Sequence, residues 1–249
     1  MKIALTFDIE RDIPNLLDSY FGIKVGLIRI LETLDNYNIK GTFFCTGDVA
    51  EHCPEHIKLI EDKGHEIACH SLHHERLGRL NLEQCQESIN QNKKILQNVC
   101  QKSEIVGFRA PYLKPPKYIF KVLNNLNFKY DSSIGSRKDL KNLEYDANSN
   151  IPEFHPINII IRFPLSFHFI KKQIHKKELI ILFFHPWEAI DIKKLMSKQL
   201  TKLKRFKNIL FRPDRWINTG NSFIKKINFL IQEGISQKAE FVTLKTLIT

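Results

Sequence analysis

Ile3-Ala-Leu-Thr-Phe-Asp-Ile-Glu10 carries two signals at once. Residues Ile3–Phe7 form a short, largely apolar run of the kind buried in a parallel sheet, and the run ends in two carboxylates, Asp8 and Glu10. Residues two apart in an extended chain face the same side, so both carboxylates can point into one site. A solvated loop start or a helix cap would use the same residues, with Arg11 and Asp12 close by.

Six further runs of this type follow, at Thr42–Cys45, Glu66–Cys69, Ile105–Phe108, Ile159–Phe163, Leu179–Phe184 and Phe241–Leu244. Segments of helical period lie between them, and they predict helices over about 19–38, 54–64, 81–102, 115–127, 192–209 and 221–234. Asn81 is placed to cap the third. About seven strands with crossover helices imply an α/β fold, either a barrel or a doubly wound sheet. Ser132–Pro156 is the least patterned stretch and reads as a long loop. With no internal repeat and no linker, residues 1–249 read as one domain.

Four runs end directly in residues able to do chemistry: Phe7 into Asp8 and Glu10, Cys69 into His70 and His74, Phe108 into Arg109, and Phe184 into His185. In α/β barrels the site is built at the C-terminal ends of the strands, where all four groups fall. On one helical turn His70 and His74 would project together, about 5–6 Å apart at Cβ, and would suit two ligands of a divalent metal with a carboxylate as third. His73 is a rival for His74, and a solvated polar loop shows the same spacing. Arg109 can hold a carboxylate bidentately or serve a structural ion pair. His185 leaves a strongly hydrophobic strand; it suits either a histidine satisfied by backbone or a general acid near neutral pH.

The composition bounds the rest. Of 249 residues, 43 % are hydrophobic, enough for one substantial core. No apolar run reaches the length of a membrane span, and MKIALTFDIE meets charge before a signal-peptide core can form, so the expectation is a soluble cytoplasmic protein. Cys45, Cys53, Cys69, Cys85 and Cys100 form no CxxC pair, which speaks against a disulfide framework and against zinc held by cysteine. The net charge is +11, and all of the excess lies in residues 151–249, which hold 18 Lys and Arg against 7 Asp and Glu.

The segments TFDIE, GTFFCTGD, GHEIACHSLHH, GFRAPY and LFFHPWE together resemble, in order and spacing, the polysaccharide deacetylases with the NodB homology domain, carbohydrate esterase family 4. The resemblance spans residues 2 to about 188, with NTGNSF and FVTLKTL similar to the end of the module. It implies a distorted (β/α) barrel of about seven strands, NodB-like, and hydrolysis of the N-acetyl group of an amino sugar. It also implies roles. Asp8 would be the catalytic base and Arg109 its orienting partner; His70 and His74 would be ligands of a divalent metal, zinc foremost. Ser71 would support the histidine loop, the Tyr112 N–H would stabilise the oxyanion, and His185 would be the general acid. Two departures stand out. Ile9 occupies the place of the usual metal-binding second aspartate, which makes Glu10 the candidate third ligand, with Asp12 in reserve. Tyr130-Asp131-Ser132-Ser133 replaces the usual Asp-Trp motif, and Asp131 is the candidate for tuning His185. FHPWE and YDSS are similar to a branch that includes exopolysaccharide-locus deacetylases and allantoinase-like amidohydrolases, so a cyclic amide hydrolase on the same barrel is the second enzymatic reading. A non-catalytic glycan- or anionic-surface-binding module is the third.

A nucleic-acid binder, which charge alone would favour, has no recognisable motif here. The strongest basic stretch is IKKLMSKQLTKLKRFKNIL, residues 192–210, in which seven residues are Lys or Arg and none is acidic. Ile192, Leu195, Met196, Leu203, Phe206 and Leu210 fall near one helical stripe. The stretch reads as an outer barrel helix whose apolar face covers the sheet, or as a segment resting near anionic lipid.

Overall fold

The computed structural model describes residues 1–13, 17, 19–135, 151–157 and 160–248. Seven parallel strands form one curled sheet: β1 (Lys2–Ile9), β2 (Thr42–Cys45), β3 (Glu66–Cys69), β4 (Gly107–Phe108), β5 (Tyr130–Asp131), β6 (Leu179–Phe184) and β7 (Glu240–Phe241). The order across it is β5-β4-β3-β2-β1-β6, and β7 pairs with Lys2 and Ile3 below the point where β2 joins β1 at Thr6. The helices are α1 (Ile28–Asn36), entered through a π-helical turn at Gly22–Leu27, α2 (Gly47–His52), α3 (Pro54–Asp62), α4 (Leu82–Val99), α5 (Ile119–Asn125), α6 (Pro164–Ile174), α7 (Ile192–Gln199), α8 (Lys202–Phe211) and α9 (Asn221–Ser236). This is the distorted (β/α) barrel that the motif set implies, left open between β5 and β6 among the described residues.

β1 is central and buried along almost its whole length, as a parallel strand covered on both faces must be. The Phe7 ring stacks on Phe43 at 4.8 Å and meets Phe184 at 5.8 Å, joining three strands through one aromatic cluster. Full burial of each such ring stabilises by about 1.5–3 kcal/mol. Gly107 is required where it stands, because a Cβ there would lie 2.0 Å from the Tyr130 hydroxyl, which runs past it to Glu66 Oε1 at 2.6 Å.

Several expectations change. Ile160–Phe163 is not a strand: Phe163 leads into α6, Ile157 makes the isolated bridge to Leu182, and Ile159 lies outside the described residues. The seventh strand is instead β5, too short to show a period. α2 and α6 were not foreseen, whereas α4 carries the expected Asn81 cap as a capping box with Gln84. Most of the expected loop, residues 136–150, is outside the described residues. The 192–209 helix is two helices, with Asp191 capping α7 and Thr201 capping α8. Ile192, Leu195 and Met196 of α7 are buried, but α8 buries no residue: Leu203, Phe206 and Leu210 are 65 %, 62 % and 57 % exposed and do not cover the sheet. All five cysteines are free and buried.

Candidate active site

Strand register levels the chemistry. Phe7 pairs with Phe184, so Asp8 and His185 leave the sheet at one height; Cys69 pairs with Phe108, so His70 and Arg109 do the same. Ile9 pairs with Cys45 and Cys45 with Cys69, which brings Glu10 level with His70. The period of two also holds: Ile9 turns into the core while Asp8 and Glu10 share the site.

Arg109 is fully buried and is the hub of the floor. Its Nη1 donates to Asp8 Oδ1 at 2.7 Å and to Thr6 Oγ1 at 2.9 Å, its Nε to the Ser132 carbonyl at 2.9 Å, and its Nη2 to Ser132 Oγ at 2.9 Å. The Phe44 ring lies beneath the guanidinium at 4.1 Å. Burial works to raise the Asp8 carboxyl, but the charges of Arg109, His70 and His185 outweigh it and hold Asp8 below the ordinary aspartate range.

Glu10, His70 and His74 bring three ligand atoms within 4.8 Å of one another. Glu10 Oε2 is in contact with His74 Nε2 and lies 3.8 Å from His70 Nε2. The two histidines do not share a helical turn. They meet across a tight loop in which Ser71 (φ 64°) and His74 (φ 56°) both take left-handed backbone, and the loop is tied by Glu75, which accepts from Ser71 Oγ at 3.2 Å and from the His73 N–H at 2.7 Å. His73 is exposed, away from the cluster. Asp12 is also elsewhere, accepting from Ser19 Oγ at 2.6 Å and from the Gly22 N–H at 2.8 Å.

The cluster has the chemistry of a metal site. His70 Nδ1 donates to the Arg109 carbonyl at 2.8 Å, which leaves the Nε2 lone pair directed at Glu10 and His74. Burial lowers the His70 pKa to about 4, so the imidazole is neutral at physiological pH, the form that ligates. Two imidazole nitrogens and one carboxylate oxygen are a donor set able to hold a divalent metal ion.

His185 stands across the cluster, its Nε2 3.7 Å from Glu10 Oε1. Its Nδ1 faces Glu188 Oε1 at 3.2 Å, and the same oxygen accepts from the His185 N–H at 3.0 Å. Glu188 is in turn held by buried Arg162, whose Nε donates to Oε2 at 2.5 Å and whose other nitrogens donate to the carbonyls of Ile217 and Asp214. Burial disfavours the imidazolium, but the Glu188 hydrogen bond and the charges of Glu10, Glu188 and Asp8 raise the His185 pKa to about 9.

Asp131 is not in contact with His185. Among the described residues it makes no hydrogen bond or ion pair to that ring; it accepts from Ser133 Oγ at 2.5 Å and faces Glu153, to which its backbone is bridged. Burial pushes both carboxyls up, and their mutual repulsion lifts Glu153 further. Glu188 and Arg162 were missed in the sequence. The first carried a signal, since Pro186 and Glu188 after His185 have the spacing of a capping box, and that box is formed. Arg162 carried none.

A cleft of about 480 Å³ opens over Asp8, Glu10, His74 and His185, with Tyr112 at its lip and Trp187 stacked on the His185 ring. Tyr112 (φ 61°) packs its ring against His74 at 4.5 Å and carries the Arg76 guanidinium over that ring at 5.0 Å. Arg212 and Arg215 complete the wall; Arg212 is paired with Asp214, while Arg215 Nε is buried with no hydrogen-bond partner.

The geometry agrees with what known proteins share with this chain. Residues 1–130 match the family model described as polysaccharide deacetylase. A peptidoglycan-N-acetylglucosamine deacetylase of Bacillus cereus is 30 % identical over 115 residues, 46 % of this chain and 36 % of that protein. A chitooligosaccharide deacetylase of Sinorhizobium fredii is 26 % identical over 111 residues, 45 % of this chain and 46 % of that one. The chain thus matches less than half the length of either relative. A solved carbohydrate esterase family 4 pseudoenzyme from Bacillus anthracis has the same fold, with a TM-score of 0.62 at 14 % identity over 100 % of this chain and 65 % of its own. With strands β1 to β4, the histidine loop and Arg109 all inside the matched segment, which covers just over half of the chain, the chain belongs to the polysaccharide deacetylase family.

Proposed function

We propose that the protein is a metal-dependent hydrolase that removes the N-acetyl group from an amino sugar, acting through one domain over residues 1–249. The observation that carries this reading is the opposition of two proton-handling groups, Asp8 held ionised by Arg109 and His185 held protonated by Glu188, on either side of the Glu10, His70 and His74 donors. A non-catalytic glycan-binding module has no need of that opposition.

The donors Glu10, His70 and His74 would hold a divalent ion, zinc foremost, which when bound supplies Lewis acidity toward a carbonyl oxygen and acidifies water. Asp8 accepts the proton of the attacking water as the new C–O bond forms at the acetyl carbon. Arg109 keeps that carboxylate charged and fixed in orientation. The Tyr112 N–H donates to the oxygen that gains charge. As the C–N bond breaks, His185 gives its proton to the sugar nitrogen, so the products are acetate and a free amine. Glu188, braced by Arg162, fixes the tautomer and aim of His185.

Arg76, Arg212 and Arg215 in the cleft wall support a substrate carrying negative charge beside the N-acetyl group, such as an acidic glycan or a sugar linked to phosphate. The five free cysteines support a reducing, cytoplasmic compartment; among the described residues no helix is long and apolar enough to cross a membrane.

The test is acetate release from N-acetylated glycans, sugar nucleotides, lipid-linked sugars and cyclic ureides, with and without chelator. Chelator-sensitive acetate from any N-acetyl sugar supports the reading. Ureide turnover with no acetate from the sugars would move the function to the cyclic amide class.

A further inference from the structure

We propose that α8 is an interfacial helix that docks this protein onto anionic lipid. Leu203, Phe206 and Leu210 stand at i, i+3 and i+7, one stripe of a helix, and all three are more than half exposed; Phe211 beside them is 70 % exposed. An apolar stripe about 10 Å long facing outward is a cost in water that a packed barrel helix would not bear. α7 makes the contrast, because it turns Ile192, Leu195 and Met196 inward and keeps its lysines outside. α8 turns inward only at Arg205, Asn208 and Ile209, and holds on through the Trp216 indole, which donates to the Ile209 carbonyl at 3.2 Å.

Charge selects the occupant. Lys194, Lys198, Lys202, Lys204 and Lys207 are exposed around the stripe, with no carboxylate partner among the described residues, and residues 192–211 contain no acid. Lysines on flexible stems suit a diffuse sheet of negative charge, whereas a fixed protein epitope favours forked arginines. Leu203 and Leu210 alternate with the exposed Phe206 and Phe211 rings in one apolar face, which suits hydrocarbon, and the chain carries no recognisable nucleic-acid-binding motif. A membrane surface of phosphatidylglycerol type meets both demands, with the stripe in the headgroup boundary and the lysines among the phosphates.

α8 runs through Arg212 directly into Asp214 and Arg215 of the cleft wall. Docked, it holds that wall at the bilayer, where an amino sugar carried on a lipid phosphate is within reach. That consequence rests on the hydrolase reading; the docking does not.

The experiment is co-sedimentation of the full chain with phosphatidylcholine vesicles and with vesicles containing phosphatidylglycerol, at low and high salt. The expected result is binding to the anionic vesicles only, weakened by salt. It should fall about tenfold in Leu203→Ser/Phe206→Ser, which leaves the charge unchanged. Unaltered circular dichroism and acetate release toward a soluble substrate separate lost docking from lost folding. No binding to anionic vesicles at low salt overturns the proposal, as does binding that the double variant retains in full. A dimer in light scattering that Phe206→Ser dissolves would assign the stripe to a second copy of the chain, and retention on RNA in place of vesicles would assign it to nucleic acid; either result overturns docking on lipid.

Discussion

Arg109 donates to Asp8 from a position with no solvent exposure, and the two residues are 101 apart in the chain. Arg109→Ala should destabilise the fold by about 3–5 kcal/mol, the cost of leaving one member of a buried pair alone. Arg109→Lys keeps the charge but loses the fork to Thr6 and Ser132, and should lose less stability than Arg109→Ala while still losing most acetate release. Urea denaturation followed by circular dichroism, read beside the rate, distinguishes the two.

His185, the proposed general acid, should answer to Glu188 and not to Asp131. With His185 raised to about 9, activity requiring its proton falls as pH rises through that value. Glu188→Gln removes the charge that supports the imidazolium, so the basic limb of the pH–rate profile should move to lower pH, with about a tenfold loss of kcat. Asp131→Asn should leave the limb where it is. The stability term has the same sign: a raised histidine pKa adds stability that is complete below its ordinary value of 6.5 and is lost as pH passes through 9. A limb that moves with Asp131 would restore the tuning role to that residue.

Metal binding should be read without reference to turnover. Zinc added at a hundredfold excess over its dissociation constant should stabilise the folded protein by about 2.7 kcal/mol, seen as a rise in Tm. His70→Ala/His74→Ala should abolish that rise and the stoichiometric zinc found by elemental analysis. Glu10→Ala should weaken affinity and not abolish it, because the two imidazoles remain. Undiminished zinc content in the double histidine variant would remove the assignment.

Asp131 and Glu153 make a separate, structural prediction. Both carboxyls are raised, so the folded protein holds a proton that the unfolded chain releases above the ordinary glutamate value of 4.5, and stability declines as pH rises from there. Glu153→Gln keeps the acceptor for the Ile134 N–H, bonded at 2.8 Å, and ends the repulsion. It should gain about 1–2 kcal/mol over the parent at pH 8 relative to pH 5. Equal pH dependence in the two proteins would show that the pair is not coupled.

The parts of this site that were legible in sequence are those that a strand dictates. TFDIE, GFRAP and FFHPWE each put a polar residue directly after a buried run, and parallel register then brings Asp8, Arg109 and His185 together without further information. His70 and His74 were found for a reason that does not hold, since a four-residue spacing suggested a helix while two left-handed residues make a loop that reaches the same end. Two-residue strands such as β5 have no period to detect. Arg162 is fixed by contacts 26 to 55 residues away, and such contacts leave no local trace. The stripe on α8 was visible, but its direction was not: a helical period identifies an apolar face and is silent on whether a sheet or the solvent lies against it.

β1 is flanked by β2 on one side and β6 on the other, so the site straddles a seam. Asp8, Arg109 and the proposed metal donors Glu10, His70 and His74 all come from residues 8–109, while His185, the proposed acid, and its braces come from 162–188. Among the described residues no hydrogen bond of the Arg162–Glu188–His185 chain reaches into the first group, and the two groups face each other through the 3.7 Å ion pair between His185 and Glu10. A change at Glu188 or Arg162 therefore acts on His185 without removing any of the Arg109 hydrogen bonds to Asp8, Thr6 and Ser132. The aim of the His185 ring can in this way be altered from one bank of the cleft while the opposite bank keeps its contacts.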